Sequence, residues 1–195
     1  GACRELKQKV GDMAGAWPGD SAQLDNVFAK AGQEQIQVAF NSEPNKEERE
    51  KFSFFSYGAV FVEVNVDVCG QVRVKRAVGV YDMGRMINPR LARSQIVGGM
   101  VFGFGTALME ATVPDEKTGR IVNANLAEYH VAVHADTLEF DIDFINEPDP
   151  HMPDLGARGI GEIGIVGAPA AVANAIFNAT GKRVRDLPIT PDKLI

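Results

Sequence analysis

The chain has 195 residues, 45% of them hydrophobic, and a formal net charge of −6, an ordinary globular composition for one large domain or two small ones. Its 20 Lys and Arg are outnumbered by 26 Asp and Glu and are scattered, which excludes a nonspecific nucleic-acid surface, since that needs clustered cations to displace counterions. Cys3 and Cys69 are the only cysteines, too few for a disulfide framework or a cysteine zinc site, so they read as small apolar residues.

No uninterrupted apolar run reaches the roughly 20 residues that span a bilayer, and the start, Gly-Ala-Cys-Arg-Glu-Leu-Lys, lacks the apolar core of a signal peptide. Cys3, Leu6, Val10, Met13 and Trp17 recur at steps of three and four, marking a helical face that Trp17-Pro18-Gly19 should end. Asp20 with Gln23 resembles a capping box for a second helix, with Leu24, Val27, Phe28 and Ala31 as its stripe and Gly32 as its stop. The charged run Pro44 to Lys51 reads as a solvated loop. Residues 1–33 are thus a helical entry segment, and residues 34–195 an α+β body.

Val60, Val62, Val64 and Val66 alternate with polar or aromatic residues, and Val72, Val74, Val78 and Val80 follow, the pattern of a β-hairpin. A three-residue loop, Val68-Cys69-Gly70, pairs Val66 with Val72, Val64 with Val74 and Glu63 with Lys75, and gives Gly70 the left-handed position. From Asn88-Pro89 a helix is expected to about Glu110. It is apolar almost all round, and Gly99 and Gly103, four apart, imply close approach of another backbone or of a ligand, since helical glycine costs about 1 kcal/mol relative to alanine.

Asp115 to Gly119 reads as a turn, Arg120 to Val133 as extended chain, and Leu138, Phe140, Ile142 and Phe144 as the buried side of a strand. Glu139, Asp141 and Asp143 then fall on its wet face, which accounts for them without a metal. His130 and His134 have a chelating spacing on a helix, but on a strand they stand about 13 Å apart and cannot share an ion. Strands and helices without regular βαβ alternation indicate an α+β fold with a mixed, largely antiparallel sheet and packed helices.

The segment Gly159-Ile-Gly-Glu162-Ile-Gly-Ile-Val-Gly167 carries one carboxylate among glycine and isoleucine, a setting whose burial would suit Glu162 to general-base work. Gly159, Gly161 and Gly164 match the dinucleotide fingerprint by letter, yet Pro153 to Arg158 precedes them instead of a strand, and the helix should begin only near Pro169. What survives is a loop without bulky side chains, able to wrap a large flat ligand, and a proline at a helical first turn whose N–H groups can hold an anion.

Tyr81-Asp-Met-Gly-Arg-Met-Ile-Asn-Pro89, Gln95 to Gly105, Arg158 to Ile176 and Val184-Arg-Asp-Leu-Pro188 together resemble the C-terminal part of the molybdenum-binding subunit of the xanthine dehydrogenase and aldehyde oxidoreductase family, the molybdopterin hydroxylases. The resemblance implies a molybdenum–molybdopterin cofactor, in some members a dinucleotide form. It makes Glu162 the catalytic base that takes a proton from a metal-bound hydroxyl, Gln95 a contact to the pterin, and Gly159, Ile160 and Gly161 part of the loop lying against the cofactor. The metal takes no protein side chain as ligand in this family. Iron–sulfur and FAD groups are then expected on partner subunits or domains, with an aldehyde or an N-heterocycle as substrate and aldehydes preferred. Such subunits are several times longer, so a fragment or split-gene product is expected, inactive alone and needing the upstream part of the subunit. A non-catalytic scaffold or subunit-interaction domain is the alternative. The cytoplasm is the expected compartment and the periplasm the alternative.

Overall fold

A computed structural model describes residues 1–32, 34–41, 46–136, 139–153 and 155–195. They form two compact units, Gly1–Glu50 and Lys51–Ile195.

The first unit is helical. Helix α1 (Ala2–Ala14) ends at Gly15, whose φ of 76° puts it in the left-handed region. It therefore stops short of the expected Trp17-Pro18-Gly19, because a left-handed glycine already supplies a C-cap. Trp17 lies outside the helix and is half exposed. Helix α2 (Ser21–Ala31) follows the capping pattern: Asp20 accepts from the Gln23 amide at 2.8 Å, Gln23 Oε1 accepts from the Gly19 amide at 2.9 Å, and Gly32 closes it at φ 61°. The two helices pack together, with Val10 and Val27 their buried residues. The charged run is a short helix, α3 (Lys46–Lys51), instead of a loop. Glu47 and Glu48 in its first turn favour that, since acids there complement the helix dipole, while Pro44 lies outside the described residues.

In the second unit, β1 (Tyr57–Val66) and β2 (Val72–Asp82) are antiparallel, and β3 (Glu139–Ile145) runs parallel to β2, giving the order β1-β2-β3. The sheet is mixed, as expected of the α+β fold. A parallel neighbour needs a crossover, and helix α4 (Pro89–Leu108) lies in it. Val66 pairs with Val72 and Val64 with Val74, and Gly70 stands at φ 77°, all as expected. Glu63, however, pairs with Arg76 instead of Lys75, because a bulge shifts the register between Glu63 and Val64.

That bulge reverses which side chains of β2 face inward, as one extra residue in a two-residue period must. Val72 and Val74 are buried before it, and Ala77, Gly79 and Tyr81 after it, while Val80 is 40% exposed. The expected inward row Val72, Val74, Val78, Val80 therefore holds only for its first half. Arg76 reaches β3 on the wet face, 3.1 Å from Asp141 and 3.8 Å from Glu139, so those acids sit where strand alternation puts them.

Helices α4 and α6 (Ala168–Thr180) cover the inner face. Ile96, Met100 and Phe104 of α4 meet Val172 and Ile176 of α6 and Val74, Ala77 and Tyr81 of β2 in one core. Burial of each large aliphatic or aromatic side chain there contributes about 1.5–3 kcal/mol. Asn88 caps α4 by accepting from the Leu91 amide at 3.1 Å. Residues 120–133 are turns with a single Pro114–Ile121 bridge instead of an extended strand, and His134 opens a 3-10 turn, His134–Asp136. Val131 and Val133 are exposed there, so no apolar face holds that segment in a sheet. The Asp115–Gly119 turn is present: Asp115 accepts from Lys117 and Thr118, each at 2.8 Å, and Gly119 has φ 68°.

Residues 163–180 are apolar and long enough to pass as a membrane span by composition. They are two helices, a short α5 (Ile163–Val166) and α6. At 1.5 Å per residue α6 spans about 20 Å, short of a hydrocarbon core of about 30 Å, and it packs on β1 and α4. Both cysteines are exposed and free.

Candidate active-site loop

The glycine loop from Gly156 to Gly167 is fixed to its neighbours along its length. At its start, Gly84 forms an isolated bridge with Ala157, the Arg158 amide donates to Met83 O at 2.7 Å, and the Arg85 amide donates to Gly156 O at 2.8 Å. Gly84 has φ 70°, and a Cβ there would run into Gly156 O, so both freedom and bareness are needed at that position. Further on, Ser56 Oγ donates to Gly159 O at 2.6 Å and Gln95 Nε2 to Gly161 O at 2.5 Å.

At the loop's end, α4 meets it backbone to backbone. A Cβ on Gly99 would lie 2.9 Å from Gly164 Cα, and one on Gly103 would lie 2.6 Å from the Ala168 Cβ. Of the two alternatives for those helical glycines, the close neighbour is the glutamate loop itself. A four-residue helix at Ile163–Val166 precedes α6, so helical structure begins six residues before the expected Pro169, which does occupy the first turn of α6.

Glu162 sits between these anchors. It is exposed, so the burial expected of it is not supplied by this chain. Its backbone carbonyl accepts from the Ile165 amide at 3.1 Å, and Glu162 stands at the N-cap of α5 with no side-chain cap hydrogen bond. The carboxylate borders a cleft of about 440 Å³ whose walls include Phe55, Tyr57, Tyr81 and Gly159. Burial pushes the Tyr81 phenol up to about 12, and among the described residues its hydroxyl has no hydrogen-bond partner.

Of the other expected site residues, Gly159 and Gly161 have open space where a Cβ would stand, while Ile160 turns inward against the core. Gln95 reaches the same loop, and only its amide nitrogen is engaged there. His130 and His134 are not brought to this loop. His130 borders a separate cleft of about 700 Å³ that shares no residue with the first. Among the described residues no three His, Cys, Asp or Glu come together as a metal-ligand group.

Ser56, Asp82, Asp149 and Arg158 escaped the sequence reading as site residues. Asp82 and Arg158 stood inside the motifs already singled out, so the signal was there; Ser56 and Asp149 carried none. Arg158 Nη2 lies 2.6 Å from Asp82 Oδ2 and Nη1 2.7 Å from Asp149 Oδ2. The Gly84 amide first, opposed by burial, and then Arg158 hold the Asp82 carboxyl below the usual range. Burial works against the Arg158 charge, and Asp82 and Asp149 outweigh it, so the guanidinium holds its proton more firmly than an ordinary arginine.

Residues 1–138 match the molybdopterin cofactor-binding domain family. The chain belongs to that family. Its match to the aldehyde oxidoreductase molybdenum-binding subunit PaoC of Escherichia coli K12 carries through the loop: 38% identity over 204 aligned positions, covering 100% of this chain and 28% of that protein. The putative xanthine dehydrogenase molybdenum-binding subunit XdhA of the same organism is 35% identical over 140 positions, 71% of this chain and 18% of that one. The crystal structure of the aldehyde oxidoreductase from Desulfovibrio desulfuricans superposes with a TM-score of 0.63 and 31% identity over 71% of this chain and 15% of that one. The chain thus spans about a quarter of the length of PaoC.

The loop fits the family's cofactor. Gly159 and Gly161 leave a bare backbone strip beside Glu162, which a flat ring system can approach without displacing side chains. The Gln95 amide keeps an acceptor oxygen and a second N–H for a polar ring edge.

Proposed function

We propose that this chain is the part of a molybdenum hydroxylase subunit that carries the catalytic base, Glu162, for the oxidation of aldehydes or, as the second substrate class, N-heterocycles. The observation that supports this reading is the exposed Glu162 carboxylate, next to bare glycine backbone on a loop anchored at Ser56, Gln95 and Gly99. When bound, the cofactor supplies a two-electron acceptor and activates water. Glu162 accepts at a carboxylate oxygen the proton that water releases on attacking the substrate carbon. Gln95 and the Gly159–Gly161 strip orient the pterin, and Phe55 and Tyr57 form an apolar wall for the substrate. Aldehydes are preferred because the match to PaoC runs the whole length of this chain. The rest of the molybdenum-binding subunit completes the pocket, and iron–sulfur and flavin partners take the electrons onward.

The test is Glu162→Gln in the assembled enzyme. Turnover should be abolished while molybdopterin content stays at the parent level; retained turnover would remove Glu162 from the base role.

A further inference from the structure

We propose that Arg158 is a positioning residue, an ion-paired clamp between Asp82 and Asp149 that sets the direction in which the loop presents Glu162. Its consequence for turnover rests on the reading of Glu162 as the base; the clamp itself does not.

Three separate segments meet at this side chain. Asp82 ends β2, Asp149 lies in the connection after β3, and Arg158 stands four residues before Glu162. The Arg158 and Asp149 side chains are 10% and 9% exposed, and that of Asp82 31%. Each carboxylate is aimed by a backbone amide on its other oxygen: Gly84 N–H to Asp82 Oδ1 at 3.0 Å, and His151 N–H to Asp149 Oδ1 at 2.9 Å. Both Oδ2 atoms are thereby left for the guanidinium, which hydrogen-bonds Asp149 through Nη1 and ion-pairs with Asp82 through Nη2.

The loop needs such a device. Gly159 and Gly161 have no side chains to pack, and glycine has the most conformational freedom to lose. The path from Arg158 to Glu162 is therefore governed by its fixed points: Arg158 upstream, the Ser56 and Gln95 bonds to the Gly159 and Gly161 carbonyls, and Gly164 against α4 downstream. Burying an ion pair is a poor source of stability, since an apolar replacement often does as well. A geometric role accounts for its presence here better than a stabilising one.

The test uses hydrogen exchange on the full 195-residue chain. The backbone amides of residues 85 and 158, which donate across this junction, are followed against those of Val172 and Ile176 in the α6 core. In Arg158→Met the junction amides should exchange about 10-fold faster or more while the α6 amides keep their rates, with Arg158→Lys intermediate because one ammonium cannot fork. Parent rates at the junction in Arg158→Met overturn the clamp. If that variant loses α6 protection as well, Asp149→Asn reads the same amides, and unchanged rates there overturn it equally.

In the assembled enzyme, Arg158→Met should lower kcat about 10-fold with KM within about 2-fold, as loss of alignment does. An unchanged kcat alongside a loosened junction refutes the positioning role. Glu162→Gln should leave junction exchange untouched, so retained turnover in that variant sinks the base assignment alone.

Discussion

Gly99 in α4 and Gly164 in α5 touch through their backbones: a Cβ on Gly99 would lie 2.9 Å from Gly164 Cα, and one on Gly164 would lie 2.7 Å from Ile96 O. This contact seats the loop that carries Glu162. Gly98, one residue away, has nothing within 4 Å of its added Cβ. Gly99→Ala should therefore destabilise by about 1–3 kcal/mol through overpacking against rigid backbone, whereas Gly98→Ala should stabilise by about 0.5–1 kcal/mol through helix propensity. Urea unfolding of the two variants checks this, and equal shifts of the midpoint would remove the steric argument.

Gln95 links the same helix to the loop by its 2.5 Å bond to Gly161 O. Gln95→Ala should cost about 0.5–1 kcal/mol, the low end for a hydrogen bond because the site is exposed. It should also speed exchange of the residue 161–163 amides. Gln95→Glu keeps the length but loses the donor and sets a carboxylate against a carbonyl, so it should cost at least as much. A Glu variant as protected as the parent would show that the contact is incidental.

Much of the architecture was legible because it is local. Asp20 and Gln23, Gly70, the Asn88-Pro89 start and the Phe140, Ile142, Phe144 row are written in periods and caps that need no distant partner. What the sequence hid was long-range. The bulge at Lys75 follows from how two strands share a core, so the inward row switched from Val78 and Val80 to Ala77, Gly79 and Tyr81 unannounced. The glycines of α4 announced a close neighbour without naming it, and Gly164 and Ala168 are over sixty residues away. Glu162 was legible as an address through its motif, but not its exposure, which depends on what surrounds the loop.

Asp82 gives the junction an acid limit. Its carboxyl is held below the usual range by the Gly84 amide and then by Arg158, against opposing burial. A depressed folded-state pKa means that stability is fully present above the unfolded value of about 3.9 and is lost as pH falls through the folded value. Stability should therefore decline from about pH 5 downward, and the decline should be shallower in Asp82→Asn. Asp115, held low by the Thr118 and then the Lys117 amide, adds a contribution of the same sign that the Asp82 variant leaves in place. Urea midpoints across pH 3–7 for parent and variant measure the difference, and identical acid limbs would show that Asp82 carries none of it.

Tyr81 sets the opposite limit. Its side chain is 1% exposed, its hydroxyl has no partner among the described residues, and burial pushes the phenol up to about 12 from an ordinary value of about 10. Because the raised value belongs to the folded state, stability is intact below about pH 10 and falls as the unfolded chain ionises between about 10 and about 12, a loss on the order of 2–3 kcal/mol for this one group. Tyr81→Phe should remove that part of the alkaline slope. At neutral pH it should be neutral or stabilising by up to about 1 kcal/mol, since it deletes a buried hydroxyl that nothing satisfies. Absorbance titration offers a second readout, because of the three tyrosines the fraction lost in Tyr81→Phe should be the one ionising last, near the unfolding transition. A Phe variant clearly less stable at pH 7 would mean that the hydroxyl has a partner after all, and the wall beside Glu162 would then be built around a hydrogen bond instead of a bare ring.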